Sequence, residues 1–157
     1  MQINSSMPRF ECRKILSYTP EEMFDLVVDI ESYPEFLPWC ADAKIIDRSS
    51  KEVYSQVLSA DLTIKFNIMT QKYRSIITTK QDQDGYIIKI QSQHSVFEYL
   101  DSKWILSKQG SGSNISFLID FKFKSDLFQE LIALFFEQVS VKIISKFEER
   151  AKKIYSK

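Results

Sequence analysis

The sequence predicts an α+β fold: a curved antiparallel sheet of about six or seven strands wrapped around one long C-terminal helix, with two short helices after the first strand. The stretch from Trp39 to Lys124 alternates apolar and polar residues at a period of two. The C-terminal segment repeats Phe128, Ile132, Phe135, Val139, Ile143, Phe147, Ala151 and Ile154 at steps of three or four. Two helix-start signals stand in tandem between the first alternating stretch and the rest.

Phe10, Cys12, Lys14 and Leu16 alternate with Arg9, Glu11, Arg13 and Ile15, which reads as a first strand with a mixed face. Thr19 and Glu22 form a capping box around Pro20 at the first helical position, where a missing N–H costs nothing. Met23, Phe24, Val27 and Ile30 follow at helical spacing. Ser32 and Glu35 make a second box, opening a short helix over Tyr33 to Leu37 that Pro38 ends. Strands are expected over Lys44 to Arg48 and Glu52 to Ser59, divided by the polar Ser49, Ser50 and Lys51. Ile64, Phe66 and Ile68 alternate, and Tyr73, Ser75, Ile77 and Thr79 resume with slipped parity, which predicts a bulge or bend over Thr70 to Lys72. After a turn at Gln81 to Gly85, Tyr86, Ile88 and Ile90 share a face, as do Ser102, Trp104 and Leu106. Past the turn at Gly110 to Gly112, Ile115, Phe117, Ile119, Phe121 and Phe123 hold five consecutive same-face positions. The last helix has Ser125 or Asp126 as its cap and runs from Leu127 to Tyr155, about 43 Å at 1.5 Å per residue. Leu131, Leu134 and Phe136 widen its apolar stripe, so the first half is expected to be the more deeply enclosed. A curved sheet closes imperfectly on one cylinder, and either close packing or a cavity lined by aromatics fills the space between.

At 157 residues the chain suits one domain, expected over 7–157 behind a flexible extension at 1–6, with Met1 or Met7 as the true start. It carries 12 Phe, 7 Tyr and 2 Trp but only three Gly, and Gly85, Gly110 and Gly112 complete no phosphate-binding fingerprint. His94, Cys12 and Cys40 cannot supply a four-ligand zinc site of Cys and His alone, so no metal is expected. The formal net charge is zero, which argues against a whole-domain grip on nucleic acid. Its distribution is uneven. Glu21, Glu22, Asp25, Asp29, Glu31 and Glu35 crowd the front helices, while Lys142, Lys146, Arg150, Lys152, Lys153 and Lys157 crowd the end. These are either solvated faces or a surface for a partner or membrane. The longest apolar run, Leu131 to Phe136, falls far short of the roughly 20 residues that span a bilayer. No secretory pattern opens the chain, so a cytoplasmic monomer is expected, free or peripheral at the inner face of the membrane.

The segments Met7-Pro8-Arg9-Phe10 and Tyr33-Pro34-Glu35-Phe36-Leu37-Pro38-Trp39-Cys40 resemble the coenzyme-Q-binding START-like family. Met23 to Val27, Phe97 to Trp104 and the terminal amphipathic helix fit its pattern too, so the similarity covers Met7 to Tyr155. That family groups mitochondrial quinone-binding proteins with bacterial relatives labelled ribosome-association toxins or polyketide cyclases. Ser95 and Val96 stand where a Gly-Pro pair is usual, and the glycine common near Lys65 and Phe66 is absent. The resemblance implies a START-like helix-grip fold, a hydrophobic tunnel and a lipid or quinone ligand.

On that basis the chain is expected to be a non-enzymatic carrier of ubiquinone or a similar isoprenoid quinone, with no tightly bound cofactor, serving respiratory electron transport or quinone synthesis. The expected lining is Phe24, Tyr33, Trp39, Phe66, Ile68, Tyr73 and Phe97 from the front helices and early strands. Leu100, Trp104, Phe117, Phe121, Phe135, Phe136 and Val139 complete it, in preference to Phe147 or Ile154. Trp39 and Trp104 suit either a core plug or a tunnel wall. His94 is either a loop residue or a donor to a quinone carbonyl, and Arg74 is a second candidate for that contact. Cys40 with His94 as nucleophile and base is a remote third role. Lys142, Lys146, Arg150, Lys152 and Lys153 are the surface for a membrane or partner. Two alternatives stand beside the carrier: a ribosome-association toxin that blocks subunit joining, and a polyketide cyclase or aromatase.

Overall fold

The computed structural model describes residues 9–49, 52, 54–66 and 69–156, apart from the side chains at 135 and 137. The expected extension at 1–6 and the lining residue Ile68 lie outside the described residues, as does the side chain of Phe135. Seven strands, β1 (Arg9–Leu16), β2 (Cys40–Arg48), β3 (Val57–Phe66), β4 (Met69–Gln81), β5 (Gly85–Ser92), β6 (Phe97–Gln109) and β7 (Gly112–Phe123), form one sheet. Its order is β1-β7-β6-β5-β4-β3-β2, antiparallel throughout. Strands β2 to β7 are a meander of sequential neighbours, and β1 returns to pair with β7. Helix α1 (Pro20–Val28) and a 3-10 helix (Ile30–Glu35) carry the chain from one edge to the other, and α2 (Asp126–Tyr155) lies along the inner face. The predicted fold class is the observed one.

Local chemistry explains the elements. Thr19 Oγ1 accepts from Glu22 N at 3.1 Å while Thr19 N donates to Glu22 Oε1 at 2.9 Å, so the capping box is complete. Ser125 caps α2, its Oγ accepting from Phe128 N. Gly110 turns β6 into β7 with φ +58, and a Cβ on Gly112 would sit 2.0 Å from the Leu16 carbonyl oxygen, so β1 and β7 meet only over a glycine.

Four expectations need correction. The second short helix is a 3-10 helix that starts earlier, at Ile30; Ser32 Oγ donates to Asp29 Oδ2 instead of capping, and Glu35 reaches Arg150. The strand read over Glu52 to Ser59 begins only at Val57, because Gln56 is tied to Thr79 on β4 and Tyr54 turns in to pack on Phe24. The slipped parity at Thr70 to Lys72 is no bulge: the chain reverses between Phe66 and Met69, and β3 pairs with β4 in unbroken register from Val57↔Thr78 to Phe66↔Met69. The first half of α2 is not the more enclosed. Leu127, Leu131 and Leu134 are exposed, whereas Ile144, Phe147 and Ala151 in the second half are buried.

The interior therefore has two parts. At one end α1 fills the sheet: Met23, Phe24 and Val27 are buried with Leu58, Ile88, Leu106 and Ile115. Tyr155 at the end of α2 locks this part, its hydroxyl donating to Glu22 O at 2.9 Å. The other end contains the site.

Candidate functional site: an apolar cavity under the C-terminal helix

A cavity of about 190 Å³ lies between the inner face of the sheet and α2. Strand alternation supplies its floor, with Tyr73, Ser75 and Ile77 on β4, Phe97, Leu100, Ser102 and Trp104 on β6, and Phe117, Ile119, Phe121 and Phe123 on β7. Helix α2 supplies the roof through Ile132, Phe136, Val139, Ser140, Ile143 and Phe147. Tyr33, Leu37 and Trp39, on the joint stiffened by Pro34 and Pro38, supply one wall. Ile90 and Ile119 point inward in mid-strand yet are only half-buried, because the space before them is unfilled.

The aromatics pack around this space mostly edge to face, with Trp104 tilted on Phe117 and Phe97 stacked on Phe123. Trp104 stands 4.5 Å from Phe117 and 4.9 Å from Phe147 between ring centres, Tyr73 stands 4.9 Å from Phe97, and Phe121 stands 5.0 Å from Phe136. No charged side chain lines the cavity among the described residues. The Tyr33 hydroxyl donates to the Val27 carbonyl, and burial holds the Tyr33 and Tyr73 phenols well above the ordinary tyrosine value. Both stay neutral at any physiological pH.

Eleven of the residues expected from sequence meet here: Tyr33, Trp39, Phe66, Tyr73, Phe97, Leu100, Trp104, Phe117, Phe121, Phe136 and Val139. Three others do not. Phe24 is wholly buried in the other part, 5.1 Å from the Tyr54 ring and 4.8 Å from Tyr86. Arg74 follows Tyr73 on β4 and so points to the outer face, where Nε and Nη2 bond Asp61 at 2.7 and 3.1 Å. His94 is exposed, and its Nδ1 accepts from Arg74 N at 3.1 Å. Neither is placed to meet a headgroup in the cavity. Phe147 is a lining residue after all, since the steps from Phe136 through Val139 and Ile143 reach it. Ser75, Ser102 and Ser140 also line the cavity, outside the expected set, although alternation puts Ser75 and Ser102 inward.

The remaining candidates also resolve. Burial pushes the Cys40 thiol up to about 11, and its Sγ donates to Asp42 O, so Cys40 is a poor nucleophile and His94 is not its partner. Among the basic residues of α2, Arg150 is spent within the fold: its guanidinium pairs with Glu35 at 3.5 Å and lies over the Phe36 ring. Lys146 pairs with Glu149, while Lys142, Lys152 and Lys153 remain exposed. No described helix is long and apolar enough to cross a membrane, and no group of metal-binding side chains occurs among the described residues.

Comparison with known proteins agrees with this architecture. The ribosome association toxin RatA of Rickettsia prowazekii (strain Madrid E) is 40% identical over 149 residues, covering 94% of this chain and 99% of that protein. The mitochondrial coenzyme Q-binding protein COQ10 homolog B of Xenopus laevis is 29% identical over 148 residues, covering 92% of this chain and 58% of that one. The solution structure of an 18 kDa protein from Caulobacter crescentus is similar at a TM-score of 0.74 and 26% identity, covering 96% of this chain and 99% of that one. The polyketide cyclase / dehydrase and lipid transport family matches residues 16–148, everything from the end of β1 to the last turns of α2. A match of that extent leaves only the two ends outside, and the chain belongs to this family.

Proposed function

We propose that the domain is a non-enzymatic carrier that holds a hydrophobic ligand, ubiquinone or a similar isoprenoid quinone, between its sheet and α2. The carrying observation is a cavity between sheet and helix whose described lining is wholly uncharged and rich in aromatic side chains. Its volume, about 190 Å³, is on the scale of an apolar cavity of about 150 Å³ that takes one benzene-sized ring. A ring head fits, and an attached isoprenoid tail extends beyond it. Each five-carbon unit withdrawn from water contributes up to roughly 4 kcal/mol at about 0.8 per carbon, so few polar contacts are needed. The similarity to a protein named for binding coenzyme Q supports the choice of ligand. Such a carrier would serve respiratory electron transport or quinone synthesis, exchanging its cargo at a membrane. The test is organic extraction and mass spectrometry of the purified protein, followed by titration with added quinone. A co-purifying isoprenoid quinone is expected; no bound lipid and no uptake would overturn the proposal.

A second reading is a factor that binds a ribosomal subunit and blocks joining. It is favoured by the 40% identity to a protein named as a ribosome association toxin and by the exposed Lys142, Lys152 and Lys153. Sucrose-gradient profiles with excess protein test it, and unchanged profiles would remove it. Cyclase chemistry needs a positioned acid or base. The described lining has no carboxylate, histidine or lysine, which favours binding over catalysis.

A further inference from the structure

Ser75 sits in mid-β4 between Tyr73 and Ile77, facing the cavity, opposite Ala60 on β3. Ser75 is 0% exposed, and its Oγ has no hydrogen-bond partner among the described residues. Among the described residues two other buried polar atoms lack partners, Ser113 Oγ and Gln129 Nε2, but neither residue lines the cavity. A hydroxyl left unpaired in an apolar interior is unfavourable.

The surroundings limit what can pair with that hydroxyl. No cation among the described residues faces the cavity to balance a carboxylate or phosphate, and Arg74, adjacent in sequence, is committed to Asp61 on the opposite face. The Tyr33 hydroxyl is already used on Val27 O. A charged head brought here would lose its hydration without a counter-ion. An uncharged oxygen would lose little and gain a donor.

We infer that Ser75 Oγ–H is a hydrogen-bond donor that selects the ligand, pairing with an uncharged carbonyl or ether oxygen on a ring-sized head. This rests on the cavity being a binding site for a hydrophobic ligand. The selection is for a neutral oxygenated molecule, against a pure hydrocarbon on one side and an anionic lipid on the other.

The test uses the full chain and three probes sharing one short prenyl tail: a benzoquinone head, a toluene head without oxygen, and a benzoate head. Affinities are read at pH 7 from quenching of Trp39 and Trp104, both lining residues. The wild type should bind the quinone tightest and the benzoate weakest. Ser75→Ala should weaken the quinone about five- to tenfold, the scale of one buried hydrogen bond, and leave the hydrocarbon unchanged or tighter. A second readout is independent of affinity. One carbonyl stretch of the bound quinone should lie at lower frequency in the wild type and return in Ser75→Ala. Equal weakening of quinone and hydrocarbon, no change in either, or benzoate binding as tight as quinone would overturn the role of Ser75 while leaving the cavity a binding site. Failure of the wild type to bind any of the three would overturn the binding site, and this inference with it.

Discussion

Phe24 and Trp104 are both inward aromatics, 0% and 2% exposed, yet they serve different parts of the interior. Replacing either by Ala removes a large buried side chain, and each substitution should cost about 3–5 kcal/mol in denaturant unfolding. Their effects on ligand uptake should differ. Trp104→Ala deletes a ring that packs on Phe117 and Phe147 around the cavity, whereas Phe24→Ala opens space against Tyr54 and Tyr86, so only the first should weaken quinone binding. Equal loss of binding in both would show that the two parts are not separate. Cys40 gives a pH-dependent expectation. Its thiol is raised from an ordinary 9.0 to about 11, chiefly by burial, so the folded state favours the protonated form. That contribution is complete below pH 9 and disappears as pH rises through about 11. Thermal melts should lose stability over this window, and Cys40→Ala should flatten the loss. Alternation showed that Tyr73, Ser75 and Trp104 face inward, but not how far along the interior each stands. Phe24 is a lining residue by polarity and a packing residue by position for that reason.

At the scale of elements, α2 is unevenly held. Its second half is tied by Phe147 and Ala151 in the core, by Lys14 to Glu148 at 2.6 Å, by Arg150 to Glu35 and by Tyr155 to Glu22. Its first half roofs the cavity with Ile132 and Phe136 while Leu127, Leu131 and Leu134 face outward, the last 73% exposed. Fewer buried contacts mean a lower free energy of local opening. Hydrogen exchange should therefore be faster over 130–140 than over 143–153, and added quinone should slow the first segment most. Uniform protection along the helix would show that the cavity is not reached by opening this roof. The helix itself was legible in sequence as an unbroken run at steps of three or four. Its outer leucines were not, because a wide apolar stripe reads as depth of burial until the partner surface is known. The hairpin between Phe66 and Met69 was missed for a related reason: no glycine or proline marks the reversal, so two strands in register resemble one strand with a bulge.

For the whole molecule, the arrangement of edges decides what the interior can be. β1 and β2 are consecutive strands on opposite edges, and α1 with the 3-10 helix must cross the inner face between them. That crossing fills one part of the interior with α1 and leaves the other to be roofed by α2, with the 3-10 helix and the joint after it as a wall. The class could be read from local alternation, but the pairing of β1 with β7 is a contact between distant segments that periodicity does not encode. Nor does composition say whether many aromatics close the space or leave a void, since that depends on side-chain fit. An interior with an unfilled part is less stable than a packed one, and a ligand that fills it should raise stability by mass action. At about 100 times its dissociation constant a ligand bound only by the folded state adds roughly 2.7 kcal/mol. For a domain of this size each kcal/mol moves the melting temperature by about 2–4 °C. Saturating short-tailed quinone should thus raise the melting temperature by about 5–10 °C, and the rise should continue with the logarithm of its concentration. Ser75→Ala should reduce the rise, Phe24→Ala should lower the starting temperature but keep it, and Trp104→Ala should lower both. A melting temperature that ignores quinone in the wild type would leave the cavity a packing defect and move the ribosome-directed reading ahead of the carrier.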